Sequence, residues 1–545
     1  MAVAREPELS NHNQPPPLEE YNLFSSDRAL HEAVAREGAH GTTMDLEAYG
    51  AKLGARGTLA LGEAANRVAP VLHAFDRFGE RIDQVEFHPA WHALMAIQVE
   101  EGIHCSPWSD PSPGAQVRRA ARLYMSGQVE AGTSCPISMT FAAVPVLSRS
   151  PSLAGAWLPR LFSRRYDPDH APAEGKTGAL VGMGLTERQG GSDLSGTETS
   201  AVRAAGDAWR VDGAKWFFSA PMCDAFLVLA RAPDGLACFF MPRWRRDGRL
   251  NGIRLQRLKD KLGNRSNASA EVVFEDAEAF LLGEEGRGIA TIIEMAALTR
   301  LDNVVSSAGI QRQAIAQAIH HARHRCAFGR PLADQPLMAE VLADLAIEVE
   351  AATVLAFRLV RAHEAEATQV DIALRRLATP AAKFYVCKRG PILAGEALEV
   401  LGGNGYIEES IMPRLYRELP VNSIWEGSGN VMALDVLRAL RREPACLEAL
   451  EAELCAAKGA DARLDAAIGR LLAMASGELA QSDLRRFSEA VSLALQGALL
   501  VGGAPSAVAE AFCASRLDGA PGRVFGASAI GSRASEIIER AAPTN

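Results

Sequence analysis

The chain lacks the features that mark disulfide-rich, membrane-spanning and wholly basic proteins. Its nine cysteines are dispersed without a C-x-x-C pair, which argues against a disulfide framework or a zinc site and favours buried thiols. No apolar run reaches the roughly 18 residues that a membrane-spanning helix needs. The net charge of -9 argues against a protein that coats nucleic acid with its whole surface, but it leaves local basic patches open. We therefore expect a cytoplasmic protein without a metal site.

The N-terminal segment Met1–Glu20 is polar and carries three consecutive prolines, Pro15–Pro17. A signal peptide needs an apolar stretch, so this segment is predicted to be neither a signal peptide nor a transit peptide. We expect a loose N-terminal arm.

Aromatic residues are also scarce, at 6%, whereas alanine is abundant, and this balance favours packed helices. A chain of 545 residues exceeds a single core, so two to four domains are expected. Helical periodicity on both sides of a region of short β-rich runs predicts an α+β, mainly α fold. The predicted segments are the arm over 1–20, a helical domain over 21–181, a small β domain over 182–285, a helix bundle over 286–442 and an extra helical domain over 443–545.

Apolar stripes with charged residues opposite them predict the long helices of the bundle. These helices are expected over Ile289–Thr299, Val304–Arg323, Met338–His363, Ile372–Lys388 and Gly390–Leu401.

A glycine-rich stretch, Gly182–Asp193, opens the predicted β domain. Glycines let a backbone approach a ligand closely, and the Thr and Ser hydroxyls between them can hold a planar, hydrogen-bonding molecule. The stretch is not a G-x-G-x-x-G turn between a strand and a helix, so the dinucleotide fingerprint does not apply. A turn-rich β loop without a ligand is the alternative. Further on, Gly213–Ala220 places an aromatic wall beside a hydroxyl.

Three stretches of the C-terminal half also carry chemistry. Arg325–Gly329 ends a predicted helix with a guanidinium that can bind phosphate, followed by an aromatic residue and a glycine. Glu399–Tyr406 is glycine-rich. In Asn422–Asn430 one carboxylate, Glu426, follows the apolar pair Ile424–Trp425. A carboxylate held against Trp425 loses hydration, which raises its affinity for a proton and suits it to act as a general base. An exposed glutamate in a polar loop is the alternative.

Together these stretches resemble the acyl-CoA dehydrogenases, a flavin-dependent family. The pattern G-L-T-E-x-x-G-G-S-D-x-x-G is present over Gly184–Gly196, and a second pattern runs from Glu399 to Glu418. The resemblance covers roughly residues 60–440, and the order of helical domain, β domain and helix bundle agrees with it. The stretch Arg257–Ser269, the arm and the extra C-terminal helices resemble the AidB-type alkylation-response branch of that family.

The resemblance implies FAD between the β domain and the bundle. It also implies a homo-oligomer, a tetramer built as a pair of dimers, because the ADP half of FAD would be held by Arg325, Phe328, Gln335, Glu399, Gly402 and Gly403 of a neighbouring subunit. Phe217 stands where most relatives have Trp, and many relatives have Gln at the Glu399 position. The remaining implied FAD contacts are Met183, Leu185, Thr186, Gly191, Ser192, Phe217, Phe218, Ser219, Ile424, Trp425, Gly427, Ser428 and Asn430.

Glu426 falls on the family's catalytic base, which implies α-proton removal from an acyl thioester with hydride transfer to the flavin. Another subgroup carries its base on an earlier helix, where this chain has Thr299, and Thr cannot serve. Arg300 beside it is expected to contact the substrate.

Two functions follow from the resemblance. The first is a FAD-containing protein of the DNA alkylation-damage response that binds double-stranded DNA without sequence specificity and has weak acyl-CoA dehydrogenase activity. Arg438, Arg441 and Arg442 cluster after the bundle and are the predicted DNA contacts. A solvated surface of mixed charge is the alternative, since acids slightly outnumber bases there. The second function is an ordinary metabolic acyl-CoA dehydrogenase or oxidase.

Further arginines follow the Arg438–Arg442 cluster along the chain and belong to the first hypothesis. They are Arg463, Arg470, Arg485, Arg486, Arg516, Arg523, Arg533 and Arg540.

Overall fold

The computed structural model describes residues 13–38, 43–518, 522 and 524–544. The described part of the chain begins with a helical domain that holds a two-stranded hairpin. Its helices are α1 Arg28–Arg36, α2 Met44–Gly54, α3 Arg56–Arg67, α4 Pro89–Glu100, α5 Ser106–Ser109, α6 Ala115–Val129, α7 Ser134–Leu147 and α8 Pro151–Leu161.

The hairpin consists of β1 Val71–Phe75 and β2 Arg81–Glu86, which pair antiparallel. The sequence analysis treated this region as mostly helical. Side chains of β1 alternate between more and less exposed positions, as expected for a strand. A strand of five residues is too short for this alternation to be distinguished from a loop in the sequence.

A seven-stranded sheet forms the β domain, and it packs against the helical domain through α7 and β3. Strand β5 pairs along most of its length with β9, and at its end Ser219 faces Met183 of β3. The strands are β3 Val181–Gly184, β4 Ser200–Arg203, β5 Ala208–Ser219, β6 Ala225–Ala232, β7 Gly235–Pro242, β8 Ile253–Leu258 and β9 Ser269–Leu282.

The bundle that follows contains two helices that the sequence analysis divided in two. Helix α9 runs unbroken over Gly288–His324, because Asp302, which interrupts the apolar stripe, is buried in an ion pair with Arg119 of α6. Helix α11 runs unbroken over Gln369–Val400 and continues through Pro391. The other elements are β10 Cys326–Ala327, β11 Arg330–Pro331, α10 Pro336–Arg361, α12 Gly403–Tyr406, α13 Met412–Asn422 and α14 Gly429–Arg442.

The C-terminal helices are tied to the bundle by buried arginines. Arg516 binds Asp344 and Glu348 of α10, and Arg540 binds Glu350 of the same helix. No helix within the described ranges is long and apolar enough to cross a membrane. These C-terminal helices are α15 Ala445–Cys455, α16 Ala462–Ser476, α17 Leu484–Gly503, α18 Ser506–Phe512 and α19 Ala534–Ala541.

The N-terminal arm differs from the expectation of a loose segment. Residues 1–12 lie outside the described residues, but Asn13 is hydrogen-bonded to β10 and Pro16 to the last turns of α9. The Asn13 amide donates to the Cys326 carbonyl at 2.8 Å, and the Pro16 carbonyl contacts the His320 ring at 2.8 Å. The expectation is therefore wrong for residues 13–20, because polar composition alone does not show which long-range hydrogen bonds a segment makes.

Candidate active site

The loop between α13 and α14 carries Glu426 in a left-handed backbone conformation, with φ of 58°. Residues other than glycine rarely adopt this conformation, and such strain persists where the surrounding structure enforces it. Gly427 follows with φ of 107°, and a Cβ there would lie 2.6 Å from the Met432 side chain. The loop is therefore held in one shape that presents Glu426 to the interior.

Two buried cations enforce that shape by binding the backbone of the loop. Lys383 of α11 donates to the carbonyls of Trp425, at 2.6 Å, and of Gly427. Arg300 of α9 donates to the carbonyl of Glu426 at 2.9 Å. Carbonyls on three consecutive residues are thus satisfied from two helices of the bundle.

Asp435 of α14 holds Arg300 in turn, with 2.8 Å between the guanidinium Nη1 and the carboxylate. Arg300 was expected to contact the substrate, and the structure engages its side chain with the loop and Asp435 instead. A substrate contact by Arg300 stays a prediction.

The Glu426 carboxyl faces a cavity of about 70 Å³ between the bundle, α7 and the β domain. Burial raises the pKa of Glu426 above its ordinary value, while the Thr299 hydroxyl and the charges of Arg300 and Lys383 act in the opposite direction. A carboxyl with a raised pKa and restricted access to water is suited to take up a proton near neutral pH. Met183 and Ser219, both predicted flavin contacts, line the same cavity.

The glycine-rich loop after β3 is built on a buried ion pair. Glu187 accepts hydrogen bonds from Lys215 and from Thr199, each at 2.6 Å. Burial alone would raise the pKa of Glu187, but Lys215, Thr199 and a backbone amide lower it to about 2. Glu187 therefore fixes the loop from its buried side, and the neighbouring Thr186 remains partly exposed.

Thr186 and Gly191 lie against each other in that loop. A Cβ at position 191 would be 2.2 Å from the Thr186 hydroxyl oxygen, so only glycine fits without displacing Thr186. Leu185 is partly buried beside them, and Ser192 is exposed. The loop thus offers a hydroxyl and open backbone to the cleft beside β5.

The aromatic wall of β5 consists of Phe217 and not of Phe218. Phe217 is 49% exposed, whereas Phe218 is fully buried against Phe226, with 4.4 Å between the ring centroids. The ring of Phe218 therefore lies in the core and cannot face the cleft. The expectation that the Phe218 side chain contacts the cofactor is corrected.

A second group of predicted FAD contacts lies at the far end of α9. Arg325 ends that helix roughly 39 Å along its axis from Thr299, at about 1.5 Å per residue. Its guanidinium donates to the carbonyl of Asn13, and Gln335 donates to the carbonyl of Ala327 at 2.9 Å. Phe328 is 96% exposed in a left-handed conformation. Within one chain, this group is not brought together with Glu426.

The glycine loop that begins α12 is also exposed. Glu399, Gly402 and Gly403 are at or near the surface, and Gly402 has a φ of 59°. Leu401 and Asn404 border a cleft of about 670 Å³ whose opposite wall includes the arm and the last turn of α9.

The predicted contacts around Glu426 occupy different environments. Ile424 is 65% exposed, and Trp425 lines the cavity. Ser428 begins α14 as its N-cap residue, and Asn430 accepts a 2.9 Å hydrogen bond from Arg485.

The sequence analysis missed Lys383, Ser134 and Asn303 as residues of the site. Asn303 and Ser134 line the cavity, and Lys383 donates to carbonyls of the loop that carries Glu426. Each lies within a helical stretch that carries no local motif. A polar residue on a buried helix face was the only available signal.

The three predicted DNA contacts share one exposed face of α14. Arg438, Arg441 and Arg442 are spaced three and four residues apart and are exposed, and none is in an ion pair with another described residue. Most other arginines of the predicted set have partners, and Arg523 lies outside the described residues. Arg463 pairs with Asp461, Arg486 with Asp483, Arg533 with Glu510, Arg516 with Asp344 and Arg540 with Glu350.

Comparison with known proteins agrees with this architecture. Residues 13–168 match the adaptive response protein AidB N-terminal domain, residues 182–277 the acyl-CoA dehydrogenase middle domain and residues 286–441 the acyl-CoA dehydrogenase C-terminal domain. The chain is 48% identical to AidB of Escherichia coli (strain K12), over 93% of this chain and 94% of that protein. The chain belongs to the acyl-CoA dehydrogenase family. The predicted AidB-type branch is confirmed.

Solved structures of relatives share the fold of this acyl-CoA dehydrogenase homologue. Acyl-CoA dehydrogenase family member 11 of Caenorhabditis elegans is 34% identical over 77% of this chain and 70% of its own length. The crystal structure of Caenorhabditis elegans ACDH-11 in complex with C11-CoA has a TM-score of 0.82 at 27% identity, covering 99% of this chain and 93% of that one. The Bd2924 apo-form has a TM-score of 0.80 at 31% identity, covering 89% of this chain and 98% of that one. The predicted mainly α, acyl-CoA dehydrogenase-like fold is confirmed.

Members of the acyl-CoA dehydrogenase family are FAD-dependent flavoproteins, and this chain is an oxidoreductase of that kind with FAD as its cofactor. The cleft between the β domain and the bundle fits a flavin. The ring of Phe217 is half exposed, and at Gly191 any side chain would collide with the Thr186 hydroxyl. The indole nitrogen of Trp425 is buried without a hydrogen-bond partner among the described residues. These groups would hold the isoalloxazine, which accepts a hydride when it is bound.

Proposed function

We propose that this protein is a FAD-containing member of the DNA alkylation-damage response that binds double-stranded DNA non-specifically and retains weak acyl-CoA dehydrogenase activity. The observation that carries the DNA-binding part is the unpaired arginine face of Arg438, Arg441 and Arg442. Non-specific DNA binding needs cations that are free to replace the counterions of phosphates. The match of residues 13–168 to the N-terminal domain of the adaptive response protein AidB supports the response role. Bound protein would protect the DNA or bring a reaction with alkylating agents close to it.

A mobility-shift measurement with duplex DNA tests this proposal. Replacing Arg438, Arg441 and Arg442 together by Ala should weaken retardation at low salt and lower the slope of log K against log salt by roughly 0.9 per lost phosphate contact. The matched control replaces Arg463, Arg486 and Arg533 by Ala, which removes the same charge from arginines that are paired with carboxylates. An equal loss of DNA retardation in both triple variants would show that net charge alone, and not the arginine face of α14, accounts for binding. No retardation of the natural chain at low salt would refute the proposal.

The chemistry of the site is proposed to follow the family. Glu426 removes the α-proton of an acyl thioester as the flavin accepts the hydride from the β-carbon, and the strained loop fixes the carboxyl at the cavity. Lys383 and Arg300 hold the loop so that the base does not have to be oriented during the reaction. Anaerobic titration with acyl-CoA should bleach the flavin of the natural chain. Glu426→Gln should retain FAD and stay oxidised, and undiminished reduction would remove Glu426 from the role of base.

An ordinary metabolic acyl-CoA dehydrogenase or oxidase is the second candidate. It is favoured by the position of Glu426 in the same cavity as Met183 and Ser219. Prompt flavin reduction together with no DNA retardation would select this candidate.

A homo-oligomer, with FAD sites shared between subunits in a tetramer, is part of the proposal. It is supported by the long separation of Arg325 from Glu426 and by the exposure of Phe328, Leu337 and Tyr406, at 96%, 85% and 80%. Sedimentation of the FAD-loaded protein tests it, and a monomer that retains FAD would contradict it.

A further inference from the structure

The arm cleft, a cavity of about 670 Å³, lies beneath the N-terminal arm, between α3, the last turns of α9 and the loop that precedes α13. Cavities that bind small molecules in proteins typically measure roughly 300–1,000 Å³. The described residues that line the arm cleft include none of the predicted FAD contacts. The arm cleft is therefore separate from the flavin site.

Three polar side chains that line the arm cleft have no partner among the described residues. Asn66 of α3 and His321 of α9 are each only 7% exposed, and Gln317 lies one turn before His321 on the same face of α9. Their polar atoms face the cleft, in contrast to the amide nitrogen of Gln313, which is sealed from solvent. A ligand in the arm cleft can therefore reach all three side chains.

These side chains form an uncharged floor. Burial, followed by the charges of Arg325, His320 and His324, lowers the pKa of His321 to about 4, so the ring is neutral at physiological pH. A neutral imidazole has one donor and one acceptor nitrogen, and a side-chain amide also has both kinds of group. Neighbouring donors and acceptors match the edge of a nucleobase, which Asn and Gln side chains recognise in the same way.

The rim of the arm cleft carries one arginine without a counter-ion. Arg265 is exposed in the loop between β8 and β9, and it forms neither an ion pair nor a hydrogen bond with another described residue. A guanidinium without a partner is suited to bind a phosphate. The other arginines that line the cleft are in ion pairs, namely Arg56 with Glu19, Arg67 with Glu63, Arg414 with Glu130 and Arg417 with Glu408.

The volume of the arm cleft agrees with a ligand of this kind. A mononucleotide has roughly 20 non-hydrogen atoms, and by proportion to benzene in a cavity of about 150 Å³ it needs on the order of 500–600 Å³. Pro16, Leu59 and Ile411 supply apolar surface for the faces of a ring.

We propose that the arm cleft binds a mononucleotide, with its base against Asn66, Gln317 and His321 and its phosphate on Arg265. This site is additional to the FAD site. It does not depend on the function proposed above, and no covalent step takes place in it.

Calorimetry on the full chain loaded with FAD tests the proposal. The probes are AMP, CMP, adenosine, which lacks the phosphate, and ribose 5-phosphate, which lacks the base. We expect AMP or CMP to bind at least tenfold more tightly than adenosine and ribose 5-phosphate. Flavin fluorescence should stay constant during the titration, because the nucleotide does not displace FAD.

Variants assign the two halves of the nucleotide to their residues. Arg265→Met should weaken binding of the nucleotide at least fivefold and leave adenosine unchanged. His321→Phe should weaken the nucleotide and adenosine alike, and Gln317→Met makes the same test at a less buried position. The matched control is Arg28→Met, which removes the same charge from an exposed arginine of α1, outside the cleft and without an ion pair among the described residues.

Four outcomes would overturn the proposal. The first is that neither AMP nor CMP binds at millimolar concentration. The second is that adenosine or ribose 5-phosphate binds as tightly as the nucleotide, so that one half of the ligand is not recognised. The third is release of the flavin, which would place the nucleotide in the FAD site. The fourth is equal weakening by Arg28→Met and Arg265→Met, which would reduce the effect to net charge.

Discussion

The Nε atom of Arg300 donates a 2.9 Å hydrogen bond to the backbone carbonyl of Glu426. This bond ties helix α9 to the strained residue whose carboxyl is the proposed base. Lys383 binds the carbonyls on both sides of Glu426 from helix α11. The position of the Glu426 backbone is therefore set by helices of the bundle and not by the loop alone.

Lys383→Met should lower the rate of flavin reduction by roughly tenfold to a hundredfold, the equivalent of losing charged hydrogen bonds of about 1.5–3 kcal/mol. The variant should keep FAD, since Lys383 acts on the backbone of the loop. Single-turnover reduction of the loaded protein measures the rate. Lys388→Met is the control, because this lysine of the same helix donates, among the described residues, only to the Ser423 hydroxyl, at 3.4 Å, and to no carbonyl of the loop. Equal rates in the two variants would contradict a positioning role for Lys383.

Gly191→Ala should weaken FAD binding about tenfold, or about 1.4 kcal/mol, because the new Cβ would displace the Thr186 hydroxyl. The measurement is the FAD dissociation constant from fluorescence of the released flavin. Gly196→Ala in the same region is the control, since a Cβ there would meet no atom within 4 Å among the described residues. Unchanged FAD affinity in Gly191→Ala would refute the proposed role of this loop.

Glu418→Gln should alter the pH dependence of stability. Burial, followed by the charge of Glu130, raises the pKa of Glu418 from 4.5 to about 7, against the hydrogen bonds from Asn264 and the charge of Lys261. Between these two pH values the folded state keeps a proton that the unfolded state has lost, so this group makes stability fall as pH rises. The penalty is absent below the window and complete above about pH 7.

Urea unfolding at several pH values measures the effect. The Gln variant should lose less free energy of unfolding than the natural chain as the pH rises through that window. Glu409→Gln at the exposed end of the same region is the control and should follow the natural chain. Parallel curves for Glu418→Gln and the natural chain would show that Glu418 is ionised throughout.

Arg540→Met should destabilise the protein by about 3–5 kcal/mol, because it leaves the buried carboxylate of Glu350 without its partner. Arg533→Met is the control. Its partner Glu510 is half exposed, and an exposed pair contributes at most about 1 kcal/mol. Thermal unfolding measures both variants, and a loss in Arg540→Met no larger than in Arg533→Met would show that the C-terminal helices do not depend on this pair.

Much of the fold could be predicted from motifs, and motifs also gave the candidate base. The glycine-rich pattern over Gly184–Gly196 and the stretch around Glu426 are contiguous, and their spacing is visible in the sequence. Helix boundaries were less predictable: α9 was divided at Asp302 because the partner that makes its burial acceptable, Arg119, lies far away in the chain.

By itself, therefore, the sequence determined the family, the cofactor and the order of the domains, and it singled out Glu426 as the proposed base, since each depends on residues close together in the chain. Only the tertiary structure decided that Phe218 faces the core, that Lys383 and Arg300 bind the backbone of the loop that carries Glu426, and that Asn303 and Ser134 line one small cavity. The tertiary structure also showed which arginines are in ion pairs, such as Arg540, and which, on α14, have no ionic partner among the described residues. The physical reason is the same in each case: burial and charge compensation depend on neighbours in space, and those neighbours come from helices and strands that are distant in the sequence.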